Sequence, residues 1–368
     1  MIKYKKIKLD SFLYYIAWII GLFRLINPKI YRAIPHSELF TAIQFILLFI
    51  CILLKKYNKK QLIGFLILGF LLVISTLISQ NYDALLIFML VVAFRKEDFN
   101  DIVRFDIKVK ILLLTLNILL IMFGVIDNQF FLKNGFPRYT LGFYSPNTFP
   151  SFLCSIIIEI IYIQKKYRIC HAIIILIITC IIDIIFCSRT CETILLLFSI
   201  LMFLSENINI SKFICNRFTK YMPFILTILS FISIYLYNKG NYLFIKINNI
   251  LTTRLYCASQ YMKIYNVNFF GNDIIKYDKY IGYAQTIDIS YINFLLQNGI
   301  ISYFIIFSMI FKLLDDLIKN KKNKLVIILI TFLIMGMVEK AALYVSSNVF
   351  LLLCAMIFDD KKKVSKNV

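Results

Sequence analysis

The sequence predicts an all-α, polytopic transmembrane helical bundle of about 12 spans, and three observations carry that prediction. The chain of 368 residues is 60% hydrophobic and only 17% charged, with a mean hydropathy of +0.80. A soluble chain carries roughly a quarter charged residues and fewer than half apolar ones. Apolar stretches of roughly 16 to 20 residues recur from end to end, each long enough to cross about 30 Å of hydrocarbon. No segment between them is large enough for a separate soluble domain, so residues 1–368 read as a single integral membrane domain. A soluble globular enzyme, a disordered chain and a secreted disulfide scaffold are excluded.

Taken in order, the predicted spans are Phe12–Ile26, Glu38–Leu54, Leu62–Ile78, Ala84–Phe94, Ile111–Ile126, Ser145–Ile163 and Ile169–Cys187, then Cys191–Ser205, Tyr221–Tyr237, Asp288–Phe311, Leu325–Val338 and Ala341–Phe358. Ala84–Phe94 and Leu325–Val338 are short for a crossing. Lys3 to Lys8 precede an apolar run with no small-residue cleavage site, which is the pattern of a signal anchor. Twelve spans place both termini on one side.

Charge sets the orientation. Forty-one Lys and Arg against 20 Asp and Glu give +21, an excess that in a soluble protein would suggest nucleic acid. Here the basic residues fall in short segments at alternate ends of the apolar runs, near Lys3, Lys55, Arg95, Lys165, Lys212, Lys319 and Lys361. Of the 41, 28 lie on the N-terminal side, 12 on the other, and Arg24 inside a span. Basic residues are retained on the cytoplasmic side, so both termini are cytoplasmic, no nucleic-acid partner is expected, and residues 312–324 and 359–368 are basic cytoplasmic segments.

Two outer, extracytoplasmic segments follow, 127–144 and 238–287. In the second, Ile247, Leu251, Leu255, Ala258 and Met262 recur three or four apart. That spacing predicts one amphipathic helix lying on the outer leaflet, with Lys246, Arg254 and Lys263 turned elsewhere. Most of the nine cysteines lie inside apolar runs, no pair has a zinc-ligand spacing, and only His36 and His171 are present, so neither a metal nor a cofactor is expected. Cys187 and Cys191 flank a Ser-Arg-Thr turn and are close enough in sequence to oxidise.

Arg138, Arg189 and Arg254 are basic residues on the side where the orientation rule does not require them. A guanidinium is always charged and presents a planar fork of donors suited to phosphate oxygens. Taken alone, each is better explained by ordinary lipid phosphates at the interface. The neighbouring residues shift that balance. Arg138 opens RYTLGFYSPN, in which Gly142 and Pro146 break the backbone and Asn147 sits in the first turn of the next span, its amide able to bond a sugar hydroxyl or a neighbouring helix. Arg189 lies in CSRTCET between two spans, with Glu192 and Asp183 near enough to pair with it or to face a pocket. Asp288 opens the tenth span as a helix cap, Tyr291 follows one turn on at the interface, and Gly299 permits close helix packing. The remaining spans are nearly uncharged, with Arg24, Glu159 and Asp183 the main exceptions.

Together these strings resemble a known family. An R-x-x-x-G-F-x-x-P-N segment before a mid-chain span, an S-R-T turn, a long outer loop with an Arg and a closing D-x-x-Y-x-x-x-L-x-x-x-G helix recur in this order in the Wzy-type polymerases of bacterial O-antigen, capsule and exopolysaccharide, which are related to the O-antigen ligases. The resemblance covers roughly residues 100–312. It lands on Arg138, Gly142, Pro146 and Asn147, then Ser188 and Arg189, then Arg254, then Asp288, Tyr291 and Gly299. Ser145 stands where the family often has His, and Ile289 where it often has Asn. The ligase branch relies on a His in its long outer loop, and Asn238–Ile287 contains none.

The resemblance implies a GT-C-like bundle in the bacterial cytoplasmic membrane that transfers a glycan from a polyprenyl diphosphate to a hydroxyl of a second lipid-linked repeat unit. It implies Arg189 and Arg254 as catalytic groups on the departing diphosphate, with Arg138, Asn147, Tyr291 and Ser188 binding substrate. Asp288 and Glu192 are the candidate bases, although a diphosphate oxygen can also take the proton. Implied partners are the polyprenyl-diphosphate-linked oligosaccharide, membrane lipids, and flippase and chain-length regulator proteins. Two alternatives stay open: a flippase or polysaccharide transporter, and a ligase-like glycan transferase. No internal repeat and no inverted pair of broken helices, which would point to transport, is visible in the sequence.

Overall fold

The structure, a computed structural model, describes residues 9–95, 99–133, 136–164, 167, 169–274 and 286–358. The lysine runs near Lys3, Lys165 and Lys361, the segment 359–368 and residues 275–285 of the predicted outer loop lie outside the described residues. About 76% of the described residues are helical. In order the elements are α1 (Leu9–Ile26), α2 (Pro28–Ala33), α3 (Glu38–Leu54), α4 (Lys59–Ser79), α5 (Asp83–Ala93), α6 (Phe99–Met122), β1 (Phe130–Lys133), β2 (Phe136–Tyr139) and α7 (Thr148–Ile163). They continue as α8 (Ile169–Phe186), α9 (Arg189–Leu204), α10 (Ile208–Ile214), α11 (Met222–Asn238), α12 (Tyr242–Ile250), α13 (Arg254–Ile264), α14 (Ser290–Lys319) and α15 (Asn323–Met335), with 3-10 turns at Thr219–Tyr221, Lys340–Leu343 and Val349–Phe358.

This is an all-α membrane protein. Among the described residues five helical stretches are long and apolar enough to cross a bilayer: α1, α4, α8, Thr219–Asn238 and α14. Their outward faces are apolar. Leu66, Ile67, Phe70 and Leu77 of α4 and Ile173, Ile177 and Ile184 of α8 are all exposed, which water tolerates poorly over so wide a patch and lipid does not. The chain divides into two compact units, Met1–Asn58 with Met89–Ser199, and Lys59–Phe88 with Ile200–Val368.

In the first unit α1 packs on α3 and α6. Buried carboxamides stitch these helices together: Gln44 Nε2 donates to Ala17 O at 3.0 Å, Asn27 Nδ2 to Asn117 Oδ1 at 2.6 Å, and Asn117 Nδ2 to Ile26 O at 2.6 Å. Each satisfies a polar group that hydrocarbon cannot. Helix α6 overturns one expectation. It begins at Phe99, well before the predicted Ile111, so Asp106 and Lys110 are helical and buried rather than part of a cytoplasmic loop. They form an i,i+4 ion pair, and Lys110 also pairs with Glu159 of α7 at 2.6 Å. Pairing with Lys110 lets charges that hydropathy assigns to a loop remain inside.

The segment 127–144, predicted to be an outer loop, contains a pair of antiparallel strands in which Phe131 faces Arg138 and Phe130 faces Tyr139. A hydropathy reading had no means of seeing it.

The second unit is organised on α14, whose 30 residues break at Gly299 (φ 81°, ψ 172°). The loop Asn268–Asn272 fills the break. Ile300 N donates to Asn268 O at 3.0 Å, Ile301 N to Phe269 O at 3.1 Å, and Asn272 N to Leu296 O at 3.0 Å. From α4, Ser75 Oγ donates to Asn298 O at 2.7 Å. An interrupted helix in a membrane needs such replacement partners. Gly299 thus serves close packing against a loop, where close packing of helices was expected.

Two further expectations fail here. The final apolar run forms two 3-10 segments separated by a turn around Ser346–Asn348 in place of a continuous helix over Ala341–Phe358. The single amphipathic helix predicted across Ile247–Met262 is two helices, divided at Leu251–Thr253. Thr252 and Thr253 take left-handed φ of 53° and 66°, and Asn248 Oδ1 caps α13 by accepting from Tyr256 N at 3.0 Å. Arg254, predicted to turn away from the packed face, is the first residue of α13 and is 4% exposed. Its ion pairs explain the inversion.

Candidate functional site

In the first unit the strand pair and the two helix ends beside it gather two of the sequence motifs. Arg138, on β2, is buried. Its Nε donates to Phe186 O, the last carbonyl of α8, at 3.0 Å, and its Nη2 donates to Asn147 Oδ1 at 2.5 Å. A guanidinium at a helix C-terminus meets the negative end of the helix dipole. Asn147 occupies the N-cap position of α7, but its side chain makes no cap bond and accepts from Arg138 instead. Gly142 (φ 84°) turns the chain between them, with Asn117 3.2 Å from where a Cβ would stand.

Arg138 therefore reaches the end of the helix that leads into the Ser-Arg-Thr turn. Cys187 is left-handed there (φ 47°), and α9 starts at Arg189. Ser188 is buried, and among the described residues its Oγ has no hydrogen-bond partner. Arg189 is exposed and Glu192 half-buried. Among the described residues neither Glu192 nor Asp183 forms an ion pair with Arg189. Cys187 and Cys191 are both free thiols.

The second unit holds Arg254, Asp288 and Tyr291. Arg254 Nη2 meets Glu339 Oε1 at 2.5 Å, its Nη1 donates to Val338 O, and its Nε lies 3.5 Å from Asp288 Oδ2. Asp288 does not cap α14: Ile289 holds that position, and no side chain bonds it. Asp288 instead accepts from Thr286 Oγ1 at 2.8 Å while facing Arg254. Tyr291 is fully buried and donates to Leu333 O at 2.6 Å, which makes it a packing residue and not an interfacial one. Ser290 ties the start of α14 to the same turn, its Oγ donating to Glu339 O at 2.6 Å.

Glu339 is the residue that sequence reasoning missed. Burial pushes its carboxyl above the ordinary carboxylate range, while Arg254 pulls it back. The available signal was an acid at the end of an apolar run, since acids at membrane depth are functional candidates by default. Burial likewise raises the Cys257 thiol, one turn along α13.

Comparison of the chain with protein-family models, with curated proteins and with solved structures found no match. Among the described residues no group of His, Cys, Asp or Glu is arranged to hold a metal ion. In both units, then, the cation of each cluster is an arginine. Such a set can bind an anionic oxygen or hold a carboxylate in a fixed protonation state.

Proposed function

We propose that this chain is a Wzy-type glycosyltransferase that polymerises polyprenyl-diphosphate-linked oligosaccharide repeat units at the outer face of a bacterial cytoplasmic membrane. The proposal includes the 12-span, GT-C-like arrangement with both termini cytoplasmic, flippase and chain-length regulator proteins as partners, and arginines serving where other transferases use a metal. The observation that carries it is the Arg254–Asp288 ion pair. It joins in space two motifs that the long outer segment separates in sequence and that the family resemblance assigns to one site. The Arg138–Asn147 hydrogen bond gives the same support within the other unit.

The chemistry follows from the charges. Breaking the glycosidic C–O bond leaves a lipid diphosphate, and a preplaced donor that meets the developing charge is worth about 3–4 kcal/mol. Glu339 holds Arg254 from the buried side at 2.5 Å, whereas Asp288 is longer, at 3.5 Å, and its side chain is 25% exposed. An incoming phosphate oxygen exchanges with Asp288 more readily than with Glu339. The displaced carboxylate then stands beside the arginine as the base for the acceptor hydroxyl. Within the first unit, Arg189, exposed and without an ion-pair partner among the described residues, is the candidate ligand for an anionic oxygen, with Ser188 and Glu192 beside it.

A flippase for the same lipid-linked substrate is the second reading. The buried charges Asp106, Lys110 and Glu159 favour it, because charge deep in the spans is what a transport path needs. Purified protein in vesicles with synthetic lipid-linked repeat units separates the two. Polymer formed without added nucleotide sugar supports the polymerase; transbilayer movement without polymer refutes it in favour of the flippase.

A further inference from the structure

The first unit contains a fully buried ionic cluster that the proposed transfer reaction does not use. It comprises Asp106 and Lys110 on α6 and Glu159 on α7, all 0% exposed. Lys110 Nζ lies 2.6 Å from Asp106 Oδ2, 2.6 Å from Glu159 Oε1 and 2.8 Å from Ser155 Oγ. Ser155 Oγ donates to Glu159 Oε1 at 2.7 Å, and Trp18 Nε1 of α1 donates to Asp106 Oδ1 at 2.8 Å. Three helices thus converge on two carboxyls and one ammonium.

Their charges do not balance. Two carboxylates against one ammonium leave a net negative charge with no exposure to water, and an uncompensated buried charge costs several kcal/mol. The hydrogen bonds do not balance either. Among the described residues Glu159 Oε2 is buried without a hydrogen-bond donor, and the two carboxyls flank one ammonium, each 2.6 Å from Lys110 Nζ. A single proton between them corrects both deficits. It makes the cluster neutral and supplies the missing donor.

We propose that Asp106 and Glu159 form a proton-binding site in which the two carboxyls share one proton beside Lys110. The pair behaves as a unit, with the proton belonging to neither acid alone. On α1, which supplies Trp18, Tyr14 donates its hydroxyl to Leu90 O, and Asp10, nearer the start of the helix, is engaged by Arg95. A small cleft lined by Ser11, Tyr14, Tyr15, Arg95 and Ile102 lies one turn of α6 before Asp106. Glu159 stands twelve residues along α7 from Asn147, about 18 Å at 1.5 Å per residue. The proton site is therefore at the opposite end of that helix from the Arg138 cluster.

Infrared spectroscopy of the purified full-length chain in lipid tests this. At neutral pH the wild type is expected to show a deuterium-sensitive C=O stretch of a protonated carboxyl. Asp106→Asn and Glu159→Gln should each abolish it, and Glu339→Gln should retain it. Lys110→Gln, which removes the ammonium, should about double it, because both acids then carry protons. The single carboxamide variants should melt near the wild type, and Asp106→Asn/Glu159→Gln, which strands Lys110, well below it. A wild type without the band overturns the proposal whether or not any variant folds, and a band that survives both carboxamide substitutions does the same. A band-free wild type whose melting rises with sodium would assign the place to a metal cation instead.

Discussion

Gly271 and Gly299 meet backbone to backbone. A Cβ on Gly299 would stand 2.3 Å from Gly271 N, and one on Gly271 would stand 2.1 Å from Gln297 O; both residues have positive φ. This contact threads the loop Asn268–Asn272 through the broken helix α14 and replaces the helical hydrogen bonds lost there.

Gly299→Ala and Gly271→Ala should therefore be strongly destabilising, beyond the ~1–3 kcal/mol of backbone strain alone, because the neighbouring atoms are backbone and cannot retreat. Gly64→Ala, in α4 with nothing within 4 Å of the new methyl, should be neutral or stabilising by about 0.5–1 kcal/mol. Thermal unfolding of the three variants in detergent checks this; equal melting temperatures would refute the threaded break.

Arg254→Met should cost about 3–5 kcal/mol, since it leaves Glu339 buried without its cation. Arg254→Met/Glu339→Gln should recover most of that loss. Melting curves of the single and double variants measure the coupling, and purely additive effects would mean that the two side chains do not depend on each other.

Arg254→Lys is expected to fold but to polymerise poorly, because an ammonium cannot hold Glu339, Val338 O and a phosphate oxygen with one planar fork. The readout is polymer length from synthetic lipid-linked repeat units. Full activity would show that positive charge alone suffices at this position.

Arg189 is the cleanest probe of function. It is exposed, and no ion pair or hydrogen bond engages its side chain among the described residues, so Arg189→Ala should change stability by no more than about 0.5 kcal/mol. Polymer should nonetheless be lost while the protein remains in the membrane. Chains of normal length from this variant would remove Arg189 from the mechanism.

Arg138 and Asn147 should show an interaction energy of about 0.5–3 kcal/mol in a double-mutant cycle. The cycle is run on melting of Arg138→Ala, Asn147→Ala and the pair. A zero coupling would mean that the hydrogen bond between them contributes nothing to the first unit.

Hydropathy alone located most of the helices. Glu38–Leu54 is α3 at both ends, and Ile169–Phe186 differs from its prediction by one residue, because a run of apolar residues in a membrane has no alternative to satisfying its own backbone hydrogen bonds as a helix. The motif strings also named Arg138, Asn147, Arg254 and Asp288 before any contact among them was visible. What the tertiary structure decided is which group neutralises which. Glu339 takes Arg254, Asp288 faces a guanidinium where a helix cap was expected, and Lys110 carries two acids into the interior of the first unit. It also decided the breaks at Thr252–Thr253 and Gly299. A hydropathy window sums properties of neighbouring residues, whereas a buried charge or an interrupted helix is tolerated only through partners distant along the chain, and no local sum contains them.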